Sequence, residues 1–262
     1  MKKTILLSSL FAVGAALATT VESGNAVGAL DKAIDKTTDA KQILISVPFL
    51  GYENDGAVKV CDMVKTSNLD AGSKLYVPDG TGTYNTWTLK LVNEKLEWVA
   101  DEKVTIVKGG APSVGTSDNQ NDATVERGSA FWLEPVFQSG KSSDTIFLLG
   151  QAADGAGSST ADNDGWHLLG NASVDAKVIT GVCDKDDTIV VQVNGRLRYY
   201  TYSTKKNAWR YTTDKGTLSD PATDPLTIAP GQGFWYNSKV PVVSVTFNWS
   251  TGVITKTYPT TK

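Results

Sequence analysis

A chain of 262 residues, 40% hydrophobic and 20% charged, with one histidine and two cysteines, can bury one large core or two small ones. Its formal charge of −3 and its short basic patches, Arg196/Arg198 and Lys205/Lys206, exclude nucleic-acid binding, which takes clustered Lys and Arg against phosphates. Two cysteines permit one bridge but do not make a disulfide-dense scaffold.

The N-terminus has the form of an export signal. Lys2 and Lys3 precede the apolar run Ile5 to Val13, and Ala16-Leu17-Ala18 has the small-x-small form read by a signal peptidase. The run is short of the roughly 20 residues a membrane span needs. Residues 1–18 are therefore predicted to be a signal peptide. Their loss makes the formal charge two units more negative. The mature chain is expected in the periplasm, on the outer surface or outside the cell, with no integral membrane segment. Residues 19–42 are predicted to be a linker or a short helix, since Val27, Leu30 and Ile34 lie at i, i+3 and i+7.

From Ile43 the texture changes to short apolar or alternating runs broken by Gly, Asn and Asp, which is strand punctuation. Residues 151–262 follow the same order of landmarks as residues 43–150. The strand Ile43 to Pro48 is matched by Trp166 to Asn171, and Val60-Cys61-Asp62 by Val182-Cys183-Asp184. Strands at Lys74 to Val77, Tyr84 to Leu89 and Leu96 to Val99 answer Thr188 to Val191, Leu197 to Tyr202 and Ala208 to Tyr211. Gly128-Ser129-Ala130-Phe131-Trp132 answers Gly231-Gln232-Gly233-Phe234-Trp235, and an apolar strand closes each copy, Thr145 to Leu149 and Val242 to Phe247. The expected fold is all-β: two similar antiparallel units, barrel- or sandwich-like, related as a pseudo-two-fold repeat. The glycines before Phe-Trp permit positive φ or close backbone approach, so the chain turns sharply into a strand.

Gly165-Trp166-His167-Leu168-Leu169-Gly170-Asn171, the tyrosine-rich segment after it, and Pro230-Gly231-Gln232-Gly233-Phe234-Trp235 resemble a β-rich module of secreted and surface proteins of bacteria. Its frame is "GWNLxGNP … PGQGFW"; here His167 stands for the usual Asn and Ala172 for the usual Pro. The first copy resembles it weakly. The resemblance implies a fold class and a surface or secreted setting, and carries over no catalytic residues.

His167 is the only histidine, so a catalytic triad, a Cys-His dyad or a His-rich zinc site would have to use it. It sits in an apolar strand without convergent partners and reads as structural. Cys61 and Cys183 hold equivalent places in the two copies. They form a candidate disulfide if the copies meet near their axis, closing a loop worth roughly 4–5 kcal/mol; otherwise each is a thiol packed in its own core. Oxygen-rich turns such as Asp162-Asn163-Asp164-Gly165 suit Ca²⁺, with Asp162 and Asp164 the first candidates, or simple Asx turn chemistry. No other cofactor is expected.

Trp98/Trp209 and Trp132/Trp235 recur in both copies, as core positions do. Trp87, Trp166 and Trp249 do not recur, and with Tyr200 and Tyr202 they are the candidate ligand-binding rings. Glu126 and Glu134 flank the first Phe-Trp, which keeps open a glycoside hydrolase with a carboxylate pair. The leading expectation is a non-enzymatic cell-envelope or extracellular protein with a structural or adhesive role toward a protein or glycan surface. A glycan-binding module using exposed tryptophans is the alternative.

Overall fold

The computed structural model describes residues 27–34, 41–51, 57–79, 84–101, 103–105, 113–115, 124–139, 145–153 and 155–260. The export signal lies outside them. Among the described residues the chain is all-β, its sheets antiparallel but for one short pair, with a single one-turn helix.

The first half runs β1 (Val27–Ala33), β2 (Ile43–Ser46), β3 (Val58–Lys59), α1 (Val60–Met63), β4 (Lys74–Pro78), β5 (Tyr84–Val92) and β6 (Lys95–Ala100). It continues through β7 (Lys103–Thr105), β8 (Ser113–Gly115), β9 (Thr124–Val125), β10 (Ala130–Glu134) and β11 (Thr145–Gln151). The second half runs β12 (Ser158–Ala161), β13 (Gly165–Gly170), β14 (Lys177–Val178), β15 (Thr180–Gly181), β16 (Thr188–Val193) and β17 (Arg196–Ser203). It ends with β18 (Ala208–Arg210), β19 (Thr227–Ile228), β20 (Gly233–Ser238), β21 (Ser244–Asn248) and β22 (Val253–Thr257). Each half is centred on a five-stranded sheet, β2-β10-β4-β5-β6 in the first and β13-β20-β16-β17-β18 in the second, with the same order of pairing. A smaller layer packs on each: β1-β11 in the first, β12-β21-β22-β15 in the second.

The segment predicted as linker or short helix contains a strand instead. β1 pairs along its whole length with β11, and its burial alternates, with Leu30 and Lys32 turned in and Val27 66% exposed. Leu30 and Ile34 are four residues apart, a spacing that puts them on one face of either a helix or a strand. Only Val27 distinguishes the two periods. An eight-residue helix is marginal in water, whereas seven ladder pairs satisfy the exposed edge of β11.

Each half has its own core. Phe49, Met63, Leu75, Trp87, Phe131 and Leu133 are buried in the first; Trp209, Phe234, Tyr236, Phe247 and Trp249 in the second. The halves join along a seam of exchanged contacts. Ser46 N–H, at the end of β2, donates to Gly231 O of the second half at 3.1 Å, and Gly170 N–H, at the end of β13, donates to Gly128 O of the first at 2.7 Å. The turn glycines cross over likewise: a Cβ on Gly231 would lie 2.7 Å from Leu30 of β1, and one on Gly128 2.6 Å from Ser158 O of β12. Both adopt positive φ, +67° and +89°, so the motif glycines serve the turn and the close approach together. Arg127 spans the seam, donating to Pro48 O, Gly155 O and Ala172 O at 3.1, 2.8 and 2.6 Å.

Gln192 closes the free edge of β2. Its Oε1 accepts from Leu44 N–H at 3.3 Å and its Nε2 donates to Gln42 O at 2.7 Å, as a neighbouring strand would.

The candidate disulfide does not form. Cys61 packs against the first core and Cys183 is buried in the second. The seam is made by β2, β10, β13 and β20, so equivalent positions outside it are not brought together. Burial, with Asp187 nearby, pushes the Cys183 thiol up to about 12, which leaves it protonated and unreactive. Denatured, unreduced protein should therefore yield two reactive thiols per chain in a colorimetric assay. A yield of none would restore the bridge.

Candidate functional site: the open edge of β17

The site begins with a hairpin. Asn194 and Gly195, at φ +48° and +71°, form the two-residue turn between β16 and β17. Such a turn closes on a hydrogen-bonded pair, here Val193 and Arg196, and bonded pairs then alternate. Arg196, Arg198 and Tyr200 therefore bond toward β16, while Leu197, Tyr199 and Thr201 direct their N–H and C=O to the opposite edge. On that edge β18 pairs only with Thr201, Tyr202 and Ser203, because the chain turns away after Arg210. The first half differs: β6 follows β5 from Trp87 to Val92. Leu197 and Tyr199 consequently have no ladder partner on their outer edge among the described residues.

The chain leaving β18 forms the far wall, a turn at Tyr211 to Leu218 closed by the bridge between Thr212 and Leu218. Between this wall and β17 lies a groove of about 1170 Å³. Arg196, Arg198, Arg210 and Lys215 line it with Tyr199 and Tyr211, and Asp214 is the one acid in the lining. None of the four cations makes an ion pair among the described residues. The Arg198 guanidinium lies over the Tyr211 ring at 4.2 Å. Arg210 is fixed by Ser219 O and Leu218 O at 2.7 and 3.2 Å. Tyr211 donates its O–H to Asp224; that bond and burial raise its pKa, so the phenol stays neutral. Tyr199, 57% exposed, and Leu197 stand free on the outer face.

Four of the five predicted ligand-binding rings are not exposed. Tyr200 and Tyr202 share a strand face, but it is the core face: Tyr200 packs edge-on to Tyr211, and Tyr202 donates to Gly181 O at 3.1 Å and packs on Trp209. Trp87 is buried in the first core. Trp249 is buried in the second, stacked on Phe247, with its Nε1–H donated to Ser159 Oγ at 2.6 Å. Trp249 follows β21, in a layer the first half builds differently, while Trp87 on β5 holds the place that Tyr200 holds on β17, so neither failure to recur marked exposure. Trp166 is 51% exposed and meets Trp235 edge-on at 6.5 Å. The recurring Trp132 and Trp235 are half-buried on the sheet face opposite Phe131 and Phe234, so recurrence did not place them in the core.

The remaining candidates are dispersed. Asp162 and Asp164 are exposed in the turn before β13, and among the described residues no three His, Cys, Asp or Glu side chains converge to hold a metal. His167 Nε2 lies 3.0 Å from Asn163 O, bracing that turn. Glu126 is exposed. Glu134 pairs with Lys41 at 2.7 Å and accepts from Tyr76 O–H at 3.0 Å; Lys41 foremost holds its pKa below the usual carboxylate range.

In the sequence Arg196 and Arg198 form only a short basic patch, because neither residue shows that β18 stops short. The available signal was the turn Asp214-Lys215-Gly216 soon after Trp209, with Gly216 at φ +74°, which leaves room for only a short strand. No protein-family model, curated protein or solved structure matches the chain.

Proposed function

We propose that this chain is a non-enzymatic, exported cell-envelope or extracellular protein with an adhesive role. Its contact is the addition of an extended, acidic segment of a partner protein to the open edge of β17. The observation that supports this reading is one groove combining unpaired backbone, four cations without ion-pair partners and an exposed tyrosine. Main-chain bonds at Leu197 and Tyr199 would supply affinity, and the arginines would select carboxylates on alternate residues. Export is supported by the residue pattern of positions 1–18. No helix among the described residues is long and apolar enough to cross a membrane.

The test uses a fluorescent peptide of alternating valine and glutamate, followed by anisotropy. Binding is expected at low ionic strength and should weaken steadily as salt is raised. Leu197→Pro removes a donor that points away from β16, a position an edge strand tolerates, so the protein should remain folded and lose binding at least tenfold. Undiminished binding by this variant would sink strand addition. Trp166, exposed against Trp235, favours a second reading, glycan binding. Tryptophan quenching by oligosaccharides that survives Leu197→Pro and is lost in Trp166→Ala would move the assignment there.

A further inference from the structure

Lys256, on β22, has its side chain turned into the second half with only 1% exposed. Its Nζ contacts Asp184 Oδ2 and lies 2.7 Å from Asp187 Oδ2. Asp187 is fully buried. Its Oδ1 accepts from Lys239 N–H at 2.9 Å, and its Oδ2 from Asp184 N–H at 3.1 Å and Tyr236 O–H at 3.2 Å. Asp184 is partly exposed and its Oδ2 also accepts from Tyr258 O–H at 3.0 Å.

An ion pair alone explains this arrangement incompletely. Two carboxylates on one ammonium leave an excess negative charge in a desolvated place, where even a balanced pair is weak evidence of stability. The same groups in the same places are those an amide condensation requires: an amine held against a carboxyl, a second carboxyl touching the same nitrogen, and solvent kept from the amine and from that second carboxyl. Holding reactants in contact replaces a bimolecular encounter and removes much of the entropic barrier.

We propose that Lys256 and Asp184 condense to an intramolecular amide, with Asp187 as the general acid–base that relays the protons. Asp187 takes a proton from the Lys256 ammonium, and the freed Nζ attacks Cγ of Asp184. The N–C bond forms, and Tyr258 O–H steadies the oxygen on which charge builds. Asp187 delivers its proton to the departing oxygen and takes the second from nitrogen to the same oxygen. The C–O bond breaks and one water leaves by the exposed side of Asp184. Ammonium plus carboxylate thus become amide plus water, Asp187 ends as it began, and nothing is oxidised or reduced. Asp184 is assigned as the electrophile because Asp187 is itself buried with both oxygens held by hydrogen-bond donors, whereas Asp184 opens to solvent. The bond ties β22, which pairs with β21 on one side and through only two parallel pairs with β15 on the other, to the segment leading into β16.

Tryptic mapping of the purified protein tests this, because cleavage after Lys185 separates the two aspartates. The expected product is residues 178–185 joined to residues 240–262, lighter than their sum by one water and uncut after Lys256. In Asp187→Asn, which keeps the shape of the site, that species should vanish while circular dichroism and a cooperative melt show the fold intact. Quantitative recovery of a linear peptide ending at Lys256 from folded wild-type protein would overturn the proposal. A link to the peptide of residues 186–196 would overturn the choice of Asp184, and a bond formed in Asp187→Asn would overturn the relay.

Discussion

Gly170→Val is expected to lower the stability of the protein by about 3 kcal/mol or more, an overpacking cost at the upper end of its range. A Cβ at Gly170 would lie 2.3 Å from Ser129 O and 2.5 Å from Ser46 Cβ, on the far side of the seam. The nearest atom is backbone, so relief requires β10 and β13 to part, and parting them strains the bond from Gly170 N–H to Gly128 O. Gly165→Ala is the control: its φ of +98° disfavours alanine, but nothing lies within 4 Å of the added methyl. It should cost only about 1 kcal/mol from backbone strain. Guanidinium unfolding followed by fluorescence separates the two, the midpoint falling while the slope is retained. A Gly170→Val protein as stable as Gly165→Ala would mean that the seam gives way without loss.

The second large effect is at Trp249. Trp249→Ala should destabilise by about 3–5 kcal/mol, the range for emptying an aromatic site in a core. The ring is shielded, stacked on Phe247 at 6.1 Å and edge-on to Phe234 at 5.8 Å, and its removal also leaves Ser159 Oγ without the indole donor. Trp166→Ala, by contrast, removes a half-exposed ring and should stay within about 0.5 kcal/mol. A paired thermal melt gives both numbers. Equal losses would contradict the placement of the two rings.

These two residues show how far the sequence could be read. The fold class was legible because strand periods and turn residues act locally: Asn194-Gly195 demands a hairpin wherever it is placed. The glycines ahead of Phe-Trp were recognised as permitting close approach, but what approaches is Leu30 or Ser158, more than 25 residues away in sequence and in the other half. The site was less legible than the fold. Trp166 and Trp249 look alike as isolated tryptophans, and only the layer made by β12, β21 and β22 buries one of them. Arg196 and Arg198 became a site through the early end of β18, a difference in strand length that composition does not carry. The period of Leu30 and Ile34 suits helix and strand equally, so β1 needed its partner β11 to be decided.

The exchanged seam also governs how quickly this chain reaches its native state. Lys32 donates to Gly231 O across 199 residues, and Gln192 meets β2 across about 150. Contacts of such separation form only after most of the chain has been searched, which places the protein among slow folders. Until residues beyond 158 arrive, the first half's turn at Gly128 has nothing to seat against, and Leu30 lacks the glycine that fits over it. Assembly of the two halves is therefore a late, shared step, and the interval before it is when exposed strand edges are open to pairing with other chains.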